Sequence, residues 1–372
     1  MERRRVLKAV GAGTALGVIG ATSALTASPV SAAPDGGSPA ATGRGGYTFE
    51  LSDRVRRTPV RYRNRFGIEI VGDLYVPKDA SGKLPALAVS GPFGAVKEQS
   101  SGLYANELAS RGFVALAFDP SFTGQSGGDV RDVASPDIFT EDFSATVDFL
   151  GLQRRVDRER IGLQAICGLS GMAITAATSD SRIKAVATTS MYDMSRSISR
   201  GHQDYYTPEQ QRAVADYYSR QRWVDAENGT PARGLHEVPF DEHGNIVTGD
   251  RVLPETLPED ADPVTASFFD YYRTDRGYHK RSINSNTAWT ATTPASFFGF
   301  PLMAHLDRLS CPVLLAAGAN AHSRYYSEDV HKDSPTDTEL VIVPEADHVD
   351  LYDRKGRIPF DRIETFFFEN LK

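Results

Sequence analysis

Short apolar runs and longer amphipathic ones alternate along most of this chain. The short runs cover residues 68–76, 86–90, 113–118, 161–166 and 183–189. They are rich in Val, Ile, Ala and Phe and end at Gly, Pro, Ser or Asp, which is the texture of buried strands. The stretches between them predict helices over 100–111, 140–150 and 171–177. The alternation stops near Ser195 and resumes near Cys311, with strands over 313–317 and 338–343 and a final amphipathic helix over 359–371. This βαβ order predicts an α/β protein with a mostly parallel, doubly wound sheet and helices on both faces. Functional groups in such a fold gather at the carboxyl ends of the strands.

The intervening residues 195–309 have a different texture. Residues 208–226 predict a charged amphipathic helix with Thr207 as N-cap. Residues 235–258 are polar and turn-rich, and 262–273 predict another helix. Aromatic residues crowd this stretch, among them Tyr205, Tyr206, Trp223, Phe268 and Tyr272. The reading is a helical cap inserted between strands six and seven. Its aromatics either line an apolar pocket or pack the cap against the core.

The segment Gly162-Leu163-Gln164-Ala165-Ile166-Cys167-Gly168-Leu169-Ser170-Gly171 has the chemistry of a nucleophile elbow. Such an elbow is a strand, a sharp turn and a helix with small residues flanking the nucleophile. The small neighbours are steric requirements, because the nucleophile sits in a strained backbone conformation. Cys167 follows the strand directly. Ser170 is the rival nucleophile but falls about one helical turn later, where it points away from a substrate. The bland alternative for Cys167 is a small buried side chain at a strand end.

Three further segments carry a resemblance. They are Lys97-Glu98-Gln99, Ala321-His322-Ser323-Arg324-Tyr325-Tyr326-Ser327-Glu328-Asp329, and His348-Val349-Asp350-Leu351-Tyr352-Asp353. Together with the elbow, from about residue 60 onward, the chain resembles the α/β-hydrolase superfamily, in particular its dienelactone-hydrolase-like branch, where Cys replaces Ser. The resemblance implies that His348, after the last strand, is the catalytic base. It implies an oxyanion hole from the N–H of Gly168 and from the loop after the third strand. There Pro92 has no N–H, which leaves Phe93. It also implies an acid after the seventh strand, but Ala321 stands in that place. Asp193, after the sixth strand, and Glu328 are the substitutes, and a Cys–His dyad without an acid is the third possibility. An adjacent His can hold a thiol as thiolate, so a cysteine needs less help than a serine.

Composition narrows the remaining classes. The chain has 372 residues with 40% hydrophobic residues, which suits one α/β domain with an insertion. Its two cysteines, Cys167 and Cys311, make no disulfide framework, and Cys311 reads as packing. Arg3-Arg4-Arg5-Val6-Leu7-Lys8, an apolar run over 9–25 and Val30-Ser31-Ala32 predict a cleaved twin-arginine signal over 1–32. An uncleaved membrane anchor is the alternative. Residues 33–46 read as a flexible linker, leaving a core of 47–194 and 310–372 around the cap. Without residues 1–32 the balance is 37 basic against 47 acidic residues, or −10, which argues against nucleic acid as a partner. The sequence has no metal-spaced Cys/His cluster, P-loop or dinucleotide motif. The expected cofactor set is therefore empty.

These readings converge on an exported hydrolase that cleaves an ester or thioester through an acyl-Cys intermediate. The expected partners are a small-molecule acyl substrate and the twin-arginine export machinery, without stable membrane insertion. Two alternatives use the same residues: an acyltransferase or thioesterase for polyketide-like acyl groups, and a small-molecule binding protein on a degenerate scaffold.

Overall fold

A computed structural model describes residues 45–372. The expected signal over 1–32 and nearly all of the linker over 33–46 lie outside the described residues. Among the described residues, no helix is long and apolar enough to cross a membrane.

The central sheet has eight strands: β1 (Val55–Arg63), β2 (Glu69–Pro77), β3 (Leu84–Ser90), β4 (Val114–Phe118), β5 (Val156–Ile166), β6 (Ile183–Thr189), β7 (Val313–Gly318) and β8 (Thr338–Val343). Their spatial order is β1-β2-β4-β3-β5-β6-β7-β8. The β1–β2 and β2–β4 pairs are antiparallel, and all others are parallel. This is the α/β-hydrolase fold. The strand β1 was not among the expected elements. Its sequence VRRTPVRYR is mostly exposed, so it carries no apolar run to announce it. It is an edge strand, and its arginines suit an edge that must not recruit another sheet.

The interior strands bury both faces, and side-chain alternation divides them between two cores. Ala86 and Ala88 of β3 join one cluster, while Leu87 and Val89 join the other. Leu314 parts from Val313 and Leu315 in the same way. The first cluster is closed by α2 (Pro136–Gly151) and α3 (Leu169–Ala177). The second is closed by α1 (Ser100–Ser110) and by α11 (Phe360–Asn370). Each fully buried Leu, Val or Phe removed from water contributes ~1.5–3 kcal/mol before entropy is counted.

Between β6 and β7 lie α4 (Met194–Arg200), α5 (Pro208–Asn228), α6 (Pro263–Tyr272), α7 (Ile283–Asn286) and α8 (Pro294–Gly299). Thr207 caps α5 through a capping box with Gln210. Asp262 caps α6 by accepting from the Val264 and Thr265 N–H groups. The cap aromatics divide. Tyr206, Tyr271, Tyr272, Trp289 and Phe297 are buried, whereas Trp223 and Tyr205 are exposed.

Three later elements complete the chain order: α9 (Arg324–Asp333), the short α10 (Asp350–Asp353) and α11. Gly318, at the end of β7, lets the β8–α10 loop approach closely: a Cβ there would stand 2.3 Å from the Ala346 carbonyl oxygen.

The loop after β3 depends on Gly91. Its φ is +107°, and a Cβ would stand 2.1 Å from the Ile166 carbonyl oxygen. Both features exclude a side chain. Gly91→Ala is expected to lower unfolding stability by at least ~2 kcal/mol, read as a fall in the urea midpoint. A loss below ~0.5 kcal/mol would show that this loop is not tightly seated against β5.

Candidate active site

The elbow is present in the backbone. β5 ends at Ile166, Cys167 has φ +56°, and α3 begins at Leu169. That left-handed conformation costs a non-glycine residue on the order of 1–2 kcal/mol. Hydrogen bonds hold it in place. The Cys167 N–H donates to the Thr189 carbonyl at 2.9 Å, and its own carbonyl accepts from the Ser170 and Tyr192 N–H groups at 3.0 and 3.2 Å. Gly168 must be small, because a Cβ would meet the Phe93 Cβ at 2.6 Å and the Met194 Sδ at 2.8 Å. Ser170 is fully buried in the first turn of α3.

Cys167 lies at the floor of a cavity of about 450 Å³. Its walls come from Phe93, Tyr192, Met194 and Tyr352 of the core, and from His202, Tyr206, His236, Glu237, Phe268 and Tyr272 of the insertion. Gly168 follows Cys167 directly and packs against Phe93, which lines the same cavity, and the N–H groups of both favour the thiolate form of the thiol. Two backbone donors beside that sulfur are a pair that can serve an oxyanion. The insertion keeps Phe93 in position. The Phe93 carbonyl accepts from Asn284 Nδ2 at 2.8 Å, and the next carbonyl, of Gly94, accepts from Ile283 N and Ser282 Oγ at 2.9 Å each. The Phe93 ring stacks on Trp289 with centroids 4.2 Å apart.

The segment Lys97-Glu98-Gln99 braces the same loop from behind. Lys97 is buried, pairs with Glu98 and donates to Gln125 Oε1 at 2.7 Å. Its N–H donates to Asp119 Oδ1 at 2.7 Å. Gln99 accepts from the Val96 N–H and donates to the Gly277 carbonyl, and Arg281 pairs with Glu98. These residues fasten the insertion to the core and do not line the cavity.

His348 is 1% exposed. Its carbonyl accepts from Ser190 Oγ at 2.8 Å. Its Nδ1 meets Ser323 Oγ at 2.6 Å, and its Nε2 meets the Tyr352 hydroxyl at 2.9 Å. Tyr352 lies four residues on, one helical turn away through α10, and lines the cavity with Cys167, whereas His348 is not among the lining residues. A phenol therefore stands between the cavity and the histidine expected to form the dyad. His322 packs at a tilt of 39° beside His348, with centroids 4.9 Å apart, and its Nε2 is engaged by the Tyr192 hydroxyl at 2.5 Å.

Neither candidate acid is brought to His348. Asp193 caps α4: its Oδ1 accepts from the Arg196 N–H at 3.1 Å and from Ser195 Oγ at 2.5 Å. Glu328 pairs with Arg324 one turn back along α9. The turn after β6 leaves Asp193 buried but commits its carboxylate to the N-terminus of α4. Sequence reasoning missed Tyr352 and Ser323, although both lie within the segments that carry the resemblance. The i,i+4 spacing of His348 and Tyr352 was the available signal.

Burial also changes the electrostatics expected for a Cys–His pair. It pushes the Cys167 thiol up to about 11, opposed by the Tyr352 hydroxyl and the two amides. Burial, and then the neighbouring His322, hold the His348 imidazole well below its ordinary value. The resting site is thus a neutral thiol and a neutral imidazole, because the cavity floor solvates no charge. Alkylation of Cys167 by iodoacetamide in a Cys311→Ala background is expected to accelerate ~10-fold per pH unit from 7 to 10. A rate already level between pH 6 and 8 would mean a resting thiolate–imidazolium pair. Ser170 is fully buried in the first turn of α3, so Ser170→Ala should leave the profile unmoved.

Comparison with known proteins places this geometry. Residues 67–350 match the family described as X-Pro dipeptidyl-peptidase (S15 family). The uncharacterized protein PA2218 of Pseudomonas aeruginosa is 51% identical over 326 residues, 87% of this chain and 83% of that one. Its crystal structure superposes with a TM-score of 0.81, covering 89% of this chain and 98% of that one at 50% identity. The α/β hydrolase GrgF from Penicillium sp. sh18 shares the fold, with a TM-score of 0.67 at 17% identity over 85% of this chain and 99% of that one. A shorter match is to thiohydrolase aneE of Aspergillus aculeatus, 35% identical over 120 residues, 32% of this chain and 37% of that one. The chain is a hydrolase of the α/β-hydrolase fold, and it belongs to the X-Pro dipeptidyl-peptidase (S15) family.

Proposed function

We propose that this hydrolase cleaves an ester or thioester through an acyl-Cys intermediate on Cys167, as in the dienelactone-hydrolase-like branch where Cys replaces Ser. The observation that carries the reading is Cys167 at a left-handed elbow on the cavity wall, with Gly168 and Phe93 packed beside it. The sulfur attacks the acyl carbonyl, and the two amides stabilise the oxyanion. His348 takes up the thiol proton, returns it to the leaving alcohol or thiol, and then activates water.

The cavity supports a small acyl group of largely apolar character. Its volume of about 450 Å³ is in the range of small-ligand sites, and aromatic rings make much of its wall. The name of the thiohydrolase relative agrees with a thioester, on a match that covers 32% of this chain. The leader sequence Arg3-Arg4-Arg5 supports export by the twin-arginine route.

Three substrates test the reading: p-nitrophenyl butyrate, the butyryl thioester of N-acetylcysteamine, and glycyl-prolyl-p-nitroanilide. The first two are expected to turn over, and Cys167→Ala to lose at least ~1000-fold in kcat/KM. Ser170→Ala is expected to stay within ~3-fold, provided it folds. Preferred cleavage of the prolyl anilide, or an active Cys167→Ala variant, would contradict the proposal.

A further inference from the structure

Four side chains form one buried line: Cys167, Tyr352, His348 and Ser323. Tyr352 lines the cavity together with Cys167, whereas His348 is not among the lining residues, and the Tyr352 hydroxyl lies 2.9 Å from His348 Nε2. Ser323 Oγ lies 2.6 Å from His348 Nδ1. Cys167 is 7% exposed, Ser323 and His348 are 1% exposed, and Tyr352 is fully buried. No carboxylate completes the line. Besides Asp193 and Glu328, Asp347 accepts from the Asp350 N–H and Ser267 Oγ. Asp350 pairs with Arg354 and Arg357, and Glu237 accepts from Ser197 Oγ.

We propose that the Tyr352 hydroxyl is a catalytic proton carrier between the Cys167 thiol and His348, and that Ser323 positions the imidazole in place of an acid. This rests on the acyl-Cys reading and goes beyond it, since that reading does not say how the proton crosses from sulfur to nitrogen.

A phenol hydroxyl can accept one hydrogen bond while donating another, which a relay needs. These contacts can run in either direction, and the relay uses one of them. The thiol S–H donates to Tyr352 Oη, the Tyr352 O–H donates to His348 Nε2, and His348 Nδ1–H donates to Ser323 Oγ. During acylation Sγ bonds to the acyl carbon and the carbonyl π pair moves to oxygen, facing the Gly168 and Phe93 amides. At the same time the thiol proton passes to Tyr352 Oη and the phenolic proton to His348 Nε2. Collapse of the adduct breaks the bond to the leaving oxygen or sulfur. That group recovers one proton from the imidazolium through the same hydroxyl. Water then repeats the sequence on the acyl-Cys, releasing the acid and restoring the thiol. The net reaction is acyl–X plus water giving acid plus HX, with no other reactant.

Burial makes a free phenolate at Tyr352 unfavourable. The two proton hops must therefore be concerted, with the hydroxyl gaining a proton as it loses one. The rings of Tyr192, Phe268 and His322 pack around the imidazole, with centroids 4.9–5.4 Å away. Its ring plane is fixed, and in the relay Ser323 Oγ accepts from Nδ1–H, which leaves Nε2 free to accept.

The test measures the acylation burst of full-length protein with p-nitrophenyl butyrate, alongside the urea midpoint of each variant. Tyr352→Phe keeps the ring and removes the carrier. Its burst rate is expected to fall ~100-fold with KM within ~2-fold and the urea midpoint unchanged. Between pH 7 and 10 its rate should become first order in hydroxide, while that of the parent chain does not. His348→Ala should lose as much, and Tyr352→Phe/His348→Ala no more than the larger single loss, because the two act in series. Ser323→Ala should lose ~10-fold in burst rate at constant KM, and Ser323→Thr should restore it. Additive losses in the double variant, or Tyr352→Phe within ~2-fold of the parent while Cys167→Ala is inactive, would overturn the relay alone. An active Cys167→Ala, or no burst from the parent chain, would overturn the acyl-Cys reading and the relay with it.

Discussion

The site depends on one strained residue. Cys167 is held at φ +56° between β5 and α3, and this single kink places the thiol on the cavity wall. The conformation persists because its surroundings over-determine it. Backbone hydrogen bonds tie Cys167 to Thr189, Ser170 and Tyr192, and bare glycines let the β3 loop and the start of α3 close in. A methyl group at Gly91 would collide with the Ile166 carbonyl, and one at Gly168 with Phe93 and Met194.

The insertion between β6 and β7 is a structural part of the site as well as a cover. Asn284, Ser282 and Ile283 grip the two carbonyls of the β3 loop, and Trp289 stacks on Phe93. The N–H of Phe93 is therefore positioned by residues nearly two hundred positions away in the chain. The same enclosure buries the cavity floor, leaving Cys167 7% and His348 1% exposed. Burial makes an ion pair expensive and neutral hydrogen-bonded groups favourable. That explains why hydroxyls, from Tyr352 and Ser323, surround the imidazole where a carboxylate was expected.

Much of this was legible in the chain itself. The parallel strands announce themselves because buried β-sheet sequence is almost uniformly apolar, and the elbow because its small residues are steric necessities. Cys167, Gly168 and Phe93 come together where the order of elements implies, and His348 follows the last strand into the same buried line. The edge strand β1 was not legible, since its exposed, arginine-rich sequence lacks the apolar signal. Asp193 shows the opposite error. A carboxylate after β6 looks available in sequence, yet the turn commits it to the N-terminus of α4. Lys97-Glu98-Gln99 stood out as a motif and proves to be a buried clamp. Tyr352 and Ser323 were hidden because hydroxyl residues are common, and only side-chain geometry separates a relay from ordinary packing.

The central claim is that the covalent chemistry occurs on the sulfur of Cys167. Its most direct test is an acid quench of the enzyme during turnover of p-nitrophenyl butyrate, followed by proteolysis and peptide mass spectrometry. The account predicts a butyryl group on the peptide containing Cys167, fragmenting to the cysteine and removed by hydroxylamine at neutral pH as a thioester. A butyryl group on Ser170 or any other residue, or turnover with no covalent adduct at a quench time that captures the burst, would contradict it.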